Sequence, residues 1–265
     1  MTALPSRRDE AFRYADIDAL ASVWRDLSPP ETLQIAAQQK LQQIWLPGGG
    51  DIEVRRAQIT LEAGAEYSLF ALNTARDYGR VELDVTLHEG AAFNFNAANI
   101  GTGKSTLEIV TTVRHQEPSA ISRQTIRSVL NGNAVGSYLG KVAVARDAQQ
   151  SDGEQSVKAM LLDRGATANC KPELEIYADD VKCAHGATVG ELDAMQLFYA
   201  ESRGMDPASA RALLLEGFVM GLWDGAGDGD AICEAARAAL RRVSSSPERG
   251  GGPSNAHSMV EGSPR

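Results

Sequence analysis

The sequence is poor in cysteine. Its three cysteines, Cys170, Cys183 and Cys233, among 265 residues cannot build the disulfide framework of a small secreted scaffold. Cys170 and Cys183 also lack the paired C-x-x-C spacing of a self-contained structural zinc site, which leaves a site shared with another chain. Basic runs are lacking too. The net charge is −9, and without clustered Lys and Arg to neutralise phosphates a general nucleic-acid binder is excluded. No apolar stretch approaches the ~18 residues of a membrane span. The opening MTALPSRRDEAF lacks the apolar core of a signal peptide, so a soluble, cytoplasmic protein is expected. Aromatics make up only 6%, few for a surface that stacks sugars.

Complete catalytic motifs are lacking as well. Gly101-Thr102-Gly103-Lys104-Ser105-Thr106 resembles a phosphate-binding loop, but the pattern's first glycine falls on Ala98. The loop should also open a helix, and Thr106–Val113 reads as a strand. A turn between strands is expected there. Asp179-Asp180 reads as a solvated turn, and no nucleophile signature occurs.

What is present is alternation. Val81, Leu83, Val85 and Leu87 alternate with Glu82, Asp84 and Thr86, and Phe93 and Phe95 alternate with Asn94 and Asn96. Period two without intervening helices predicts many short strands from about 51 to 189. TLEAGAEYSL (60–69) and TLHEGAAFNF (86–95) form a faint repeat, and Gly-Ala recurs at Gly165-Ala166 and Gly186-Ala187. A recurring glycine that supplies a positive-φ corner predicts a β-solenoid, with a sandwich as the alternative.

The flanks are helical. Ile17, Leu20 and Trp24 predict a short N-terminal helix, whereas Leu33–Leu46 mixes helical and strand signals. After Gly190, Leu192, Met195 and Tyr199 share a helical face that Gly204 ends. Asp206-Pro207 opens a second helix with a stripe of Ala210, Leu213, Leu214, Phe218 and Leu222. A last helix carries Ile232, Ala236, Leu240 and Val243. Beyond Ser244 the chain is rich in Gly, Ser and Pro, and disorder is expected; His257 there is incidental.

The densest chemistry lies in KPELEIYADDVKCAHGATVGEL (171–192). A thiolate and an imidazole at Cys183-x-His185 suit iron, iron–sulfur clusters or zinc, and on a strand the two would share a face. A buried thiol beside a satisfied histidine is the plain alternative. This stretch, with LFYAESRG and ARALLLEGFV after it, resembles the SufB/SufD family of SUF iron–sulfur cluster assembly proteins over roughly Glu10–Asp224. Gly186-Ala187-Thr188-Val189-Gly190 follows the SufD pattern; SufB-like chains carry an acidic residue at position 186.

The resemblance implies a mainly β fold, a right-handed parallel β-helix core with C-terminal α-helices. It implies an N-terminal segment at 1–50, shortened relative to the family, entered at FRYADIDAL. The β-helix core would span 51–190, the helical domain 191–243 and the disordered tail 244–265. It implies a non-catalytic scaffold that pairs with a SufB-like subunit and binds a SufC-like ABC ATPase through the C-terminal helices, from about Leu192 to Leu222. A homodimer is implied when the chain is alone. His185, with Cys183, would meet iron or a nascent iron–sulfur cluster shared at the interface. The rival readings are a SufB-like cluster-holding paralogue and a β-helical carbohydrate-active enzyme.

Overall fold

A computed structural model describes residues 4–245. Twelve strands form two six-stranded parallel sheets. Odd strands make the first sheet: β1 (Glu31–Ile35), β3 (Ile52–Leu61), β5 (Tyr78–Leu87), β7 (Thr106–His115), β9 (Val135–Val144) and β11 (Thr167–Ile176). Even strands make the second: β2 (Lys40–Trp45), β4 (Glu66–Asn73), β6 (Ala92–Gly101), β8 (Ile121–Leu130), β10 (Asp152–Leu161) and β12 (Lys182–Glu191). Each strand pairs with the one a full coil later, so the chain winds a β-solenoid of about six turns. The repeat read between Thr60 and Thr86 is this coil. Glu31 pairs with Ala57 and Ala57 with Leu83, 26 residues each time. The coil lengthens to 32 residues where Val135 pairs with Thr167.

The interior holds the inward half of each alternating strand. Leu61, Leu83, Val85, Leu87, Phe93, Phe95, Val113 and Val142 belong to one buried cluster. Tyr67 stacks on Phe93 with ring centroids 6.0 Å apart.

One corner of the coil is a column of left-handed residues. Gln38, Gly64, Gly90, Ser119 and Gln150 stack in successive coils with φ of 62°, 67°, 63°, 63° and 60°. Each donates its N–H one coil up, as Gly64 does to Glu89 O at 2.8 Å and Gly90 to Pro118 O at 3.0 Å. The glycine-corner expectation therefore holds at Gly64 and Gly90. It fails at Gly165, whose φ is not positive. There a Cβ would fall 2.3 Å from Asn133 Oδ1 and 2.5 Å from Gly132 O, so close approach demands the glycine. It fails also at Gly186-Ala187, which lies mid-strand in β12.

The solenoid begins before residue 51. β1 and β2, within the 1–50 segment, pair with β3 and β4 and form the first coil. The mixed signals of Leu33–Leu46 arose because β1 and β2 are short and fully bury only Ile35 and Trp45. Helix α1 (Ile17–Val23) is capped by Asp16, whose Oδ1 accepts from Ala19 N at 3.0 Å. Its Leu20 packs with Ala15 and Tyr78 on the outside of the first sheet. The phosphate-loop look-alike is a turn: Gly101 ends β6 and Thr106 opens β7.

The C-terminal helices cover the second sheet. α2 (Ala194–Ser202) ends in a Schellman arrangement, with Gly204 N donating to Glu201 O and Met205 N to Ala200 O. α3 (Pro207–Val219) is capped by Asp206. Its buried residues are Ala210, Leu215 and Val219, a face rotated from the expected stripe, and Leu213 is exposed. α4 (Asp230–Ser245) buries Ile232, Ala236, Leu240 and Val243 as expected, against Phe70, Leu72, Ala98, Ile100 and Val129 of the sheet. It runs two residues past Val243. The rest of the tail expected to be disordered, 246–265, lies outside the described residues.

Candidate functional site

β11 and β12 are the last strands of their sheets and lie at the same end of the solenoid. Inside β10, Gly153, Gln155, Val157 and Ala159 are buried, while Glu154 and Lys158 are exposed. Register carries this alternation to β12. Gly153 pairs with Cys183, Gln155 with His185, Val157 with Ala187 and Ala159 with Val189. Cys183 and His185 therefore share the inward face, as their spacing predicts. His185, Ala187 and Val189 are exposed and Cys183 is half-buried, because no further coil stacks on β12. On β11, Cys170 and Leu174 pair with the buried Tyr138 and Val142. Cys170, Leu174, Val181 and Cys183 all pack against the main core.

The two candidate ligands differ in setting. Cys183 lies over Gly153, where an added Cβ would sit 3.5 Å from its Sγ. Burial pushes the Cys183 thiol up, and burial pushes the Cys170 thiol up too. Sequence reasoning assumed a thiolate; the geometry gives a thiol that must release its proton to bind a metal. Among the described residues no three His, Cys, Asp or Glu side chains gather to hold a metal ion. The donors here are one sulfur and one imidazole, types that suit iron but too few to hold a metal ion by themselves. Cys233 stands apart, on α4 against the helical cluster.

Beneath this end lies a polar cluster that sequence reasoning missed. Thr111 Oγ1 donates to Gln124 Oε1 at 2.7 Å, Tyr138 Oη donates to the same oxygen at 3.2 Å, and Gln155 Nε2 donates to Tyr138 Oη at 2.8 Å. The available signal was glutamine at inward positions of β8 and β10, where the alternation calls for apolar residues. The expected turn at Asp179-Asp180 joins β11 to β12. His88 pairs with Glu117 at 3.2 Å, and His115 is buried with Nε2 2.9 Å from Ser122 Oγ.

Beyond β12 the helices expose apolar side chains. No residue of α2 is buried. Met195, Phe198 and Tyr199 are 73%, 65% and 61% exposed, and Leu213 of α3 is 53% exposed. Among the described residues no helix is long and apolar enough to cross a membrane.

The SufBD core domain of the SUF system for iron–sulfur cluster assembly matches residues 33–218. An iron–sulfur cluster assembly SufBD family protein of Synechocystis, slr0076, is 32% identical over 171 residues, 64% of this chain and 38% of that one. The chloroplastic protein ABCI7 of Arabidopsis thaliana is 35% identical over 161 residues, 59% of this chain and 34% of that protein. The iron–sulfur cluster assembly protein SufD of Escherichia coli is 32% identical over 130 residues, 49% of this chain and 31% of that protein. The matched region is about a third of the length of these relatives. With the core-domain match spanning most of the solenoid and reaching into α3, the chain belongs to the SufBD family of iron–sulfur cluster assembly proteins.

Proposed function

We propose that the chain is a non-catalytic scaffold subunit of the SufD type, working in a cytoplasmic SUF complex. Its solenoid end docks a SufB-like subunit. Iron or a nascent iron–sulfur cluster is the cargo held between them, with His185 and Cys183 as this chain's ligands. α2 and α3 dock a SufC-like ABC ATPase, whose turnover opens and closes the subunit interface.

One observation carries this reading. The two donors of the Cys183-x-His185 motif sit on a strand whose outer edge is unpaired among the described residues. β11 and β12 present two ten-residue edges side by side, and open edges of that length recruit strands from another chain. The apolar face of α2 supports the second docking site. At the cargo site Cys183 gives up its proton on binding, and His185 offers a ring nitrogen.

The test is anaerobic affinity purification of the tagged chain from its native cells, with identification of the co-purifying proteins. An ABC-type ATPase together with a larger related β-helical protein supports the scaffold. A chain that emerges alone and cleaves polysaccharide overturns it.

A further inference from the structure

Gln155 is 1% exposed, yet its Oε1 has no hydrogen-bond partner. Its amide is held on the donor side, where Nε2 donates to Tyr138 Oη. Gln124 Oε1 already accepts from Thr111 Oγ1 at 2.7 Å and from Tyr138 Oη at 3.2 Å. Tyr138 Oη donates to Gln124 Oε1 and accepts from Gln155 Nε2 at 2.8 Å. The arrangement exists because Gly140, on the facing sheet, has no side chain. A Cβ there would lie 2.0 Å from Tyr138 Oη and 2.5 Å from Gln155 Nε2. A buried acceptor left without a donor is destabilising, so its retention calls for an explanation.

The explanation lies one strand further. Gln155 pairs in register with His185, on the same inward face and one strand spacing, about 4.8 Å, away. Histidines that bind metal almost always donate their other ring N–H to an oxygen acceptor, which fixes the tautomer and aims the ligating nitrogen.

The geometry points to Gln155 as the positioning residue for His185: its Oε1 accepts one ring N–H and turns the other nitrogen out of the solenoid end. Tyr138, Gln124 and Thr111 hold that acceptor from behind. This role rests on His185 being a ligand, as proposed above, but the hydrogen bond can be tested without metal or partner.

The measurement is the tautomer of the His185 ring in the isolated, 15N-labelled chain at about pH 8.5, where an ordinary imidazole is neutral. The signals are assigned by their loss in His185→Asn. One dominant tautomer is expected in the unaltered chain. Gln155→Leu should shift the tautomer ratio about fivefold, the size of one ordinary hydrogen bond, and Gln155→Glu should restore the single tautomer because a carboxylate also accepts, with the Tyr138 hydroxyl turning to donate to its second oxygen. Gln155→Met serves in place of Gln155→Leu if the latter does not fold. A mixed tautomer in the unaltered chain, or a ratio that ignores these substitutions, overturns the role. A locked tautomer in a chain that captures no SUF subunit would sink the assembly reading and leave the hydrogen bond standing. A mixed tautomer in a chain that assembles normally does the reverse.

Discussion

Tyr138 folds its hydroxyl across the Cα of Gly140, two residues ahead on the same strand, where a Cβ would lie 2.0 Å from the oxygen and 2.2 Å from Cζ. Tyr138 is 1% exposed and its hydroxyl is held by Gln124 and Gln155, so the ring cannot swing aside. Gly140→Ala should therefore destabilise the chain by at least the ~1–3 kcal/mol typical of overpacking. Gly190→Ala is the control. It sits on β12 with nothing within 4 Å and should stay within about 0.5 kcal/mol. Urea unfolding of the two variants checks the contrast, and similar losses would contradict it.

Arg80 and Glu108 form a second buried relationship. They are 1% and 0% exposed and meet at 3.2 Å. Arg80 also bonds Glu82 and the Ala11 carbonyl, and Phe12 lies 4.1 Å from its guanidinium, so it ties the N-terminal segment to the first sheet. Arg80→Leu strands a buried carboxylate and should cost about 3–5 kcal/mol. The double change Arg80→Leu/Glu108→Leu should cost less than the single one, because it removes the stranded charge. A double variant less stable than Arg80→Leu would refute the account.

The left-handed corner column gives a prediction of opposite sign. Ser119 and Gly90 occupy equivalent corners at φ 63°. A residue with a Cβ there costs roughly 1–2 kcal/mol, part of which the added freedom of an unfolded glycine returns. Ser119→Gly should raise stability by about 0.5–1 kcal/mol. Gly90→Ala, with nothing within 4 Å of its Cβ, should lose a similar amount through backbone strain alone. Thermal midpoints that move the other way would show that the corner is not the cause.

Much of the fold was legible because solenoid strands are nearly context-free. The Val81–Leu87 and Phe93–Phe95 alternation lies inside β5 and β6 as read, and α4 buries the four residues its spacing picked out. Legibility failed where burial comes from neighbours in space. β1 and β2 were ambiguous because end strands lack a clear inward signal. Gly186-Ala187 matched the corner dipeptide but falls mid-strand, since two residues cannot report which coil position they occupy. At the site, the shared face of Cys183 and His185 followed from period two. Gln155 did not, because its meaning depends on register with β12 and on the space left by Gly140, and neither is local in sequence.

His115 should give the chain an acid-labile step. It occupies the interior column between Leu87 and Val144, and burial pushes its pKa down from 6.5 to about 4. A lowered histidine pKa means that the unfolded state takes up the proton first. Its contribution is thus intact above about pH 6.5 and is lost as pH falls from there toward about 4, by up to about 3 kcal/mol at 1.36 kcal/mol per unit. Urea midpoints measured between pH 7.5 and pH 4.5 should fall less steeply in His115→Gln than in the unaltered chain. Parallel slopes would assign the acid step to other groups.

The exposed face of α2 separates stability from partner binding. Met195, Phe198 and Tyr199 are each more than 60% exposed, so they contribute little to the fold, and surface substitutions there should stay within about 0.5 kcal/mol. If they anchor an ATPase subunit, truncation should remove much of its affinity, since buried aromatic anchors at interfaces cost 2 kcal/mol or more when cut back. That corresponds to roughly a thirtyfold weaker complex. Phe198→Ser combined with Met195→Ser should therefore leave the unfolding midpoint unchanged while the ATPase is lost from the purified complex. The solenoid end is untouched by these changes, so a SufB-like partner should remain bound. Retention of the ATPase would move its docking site off α2, and loss of both partners together would mean that the helix supports the solenoid end rather than a separate surface.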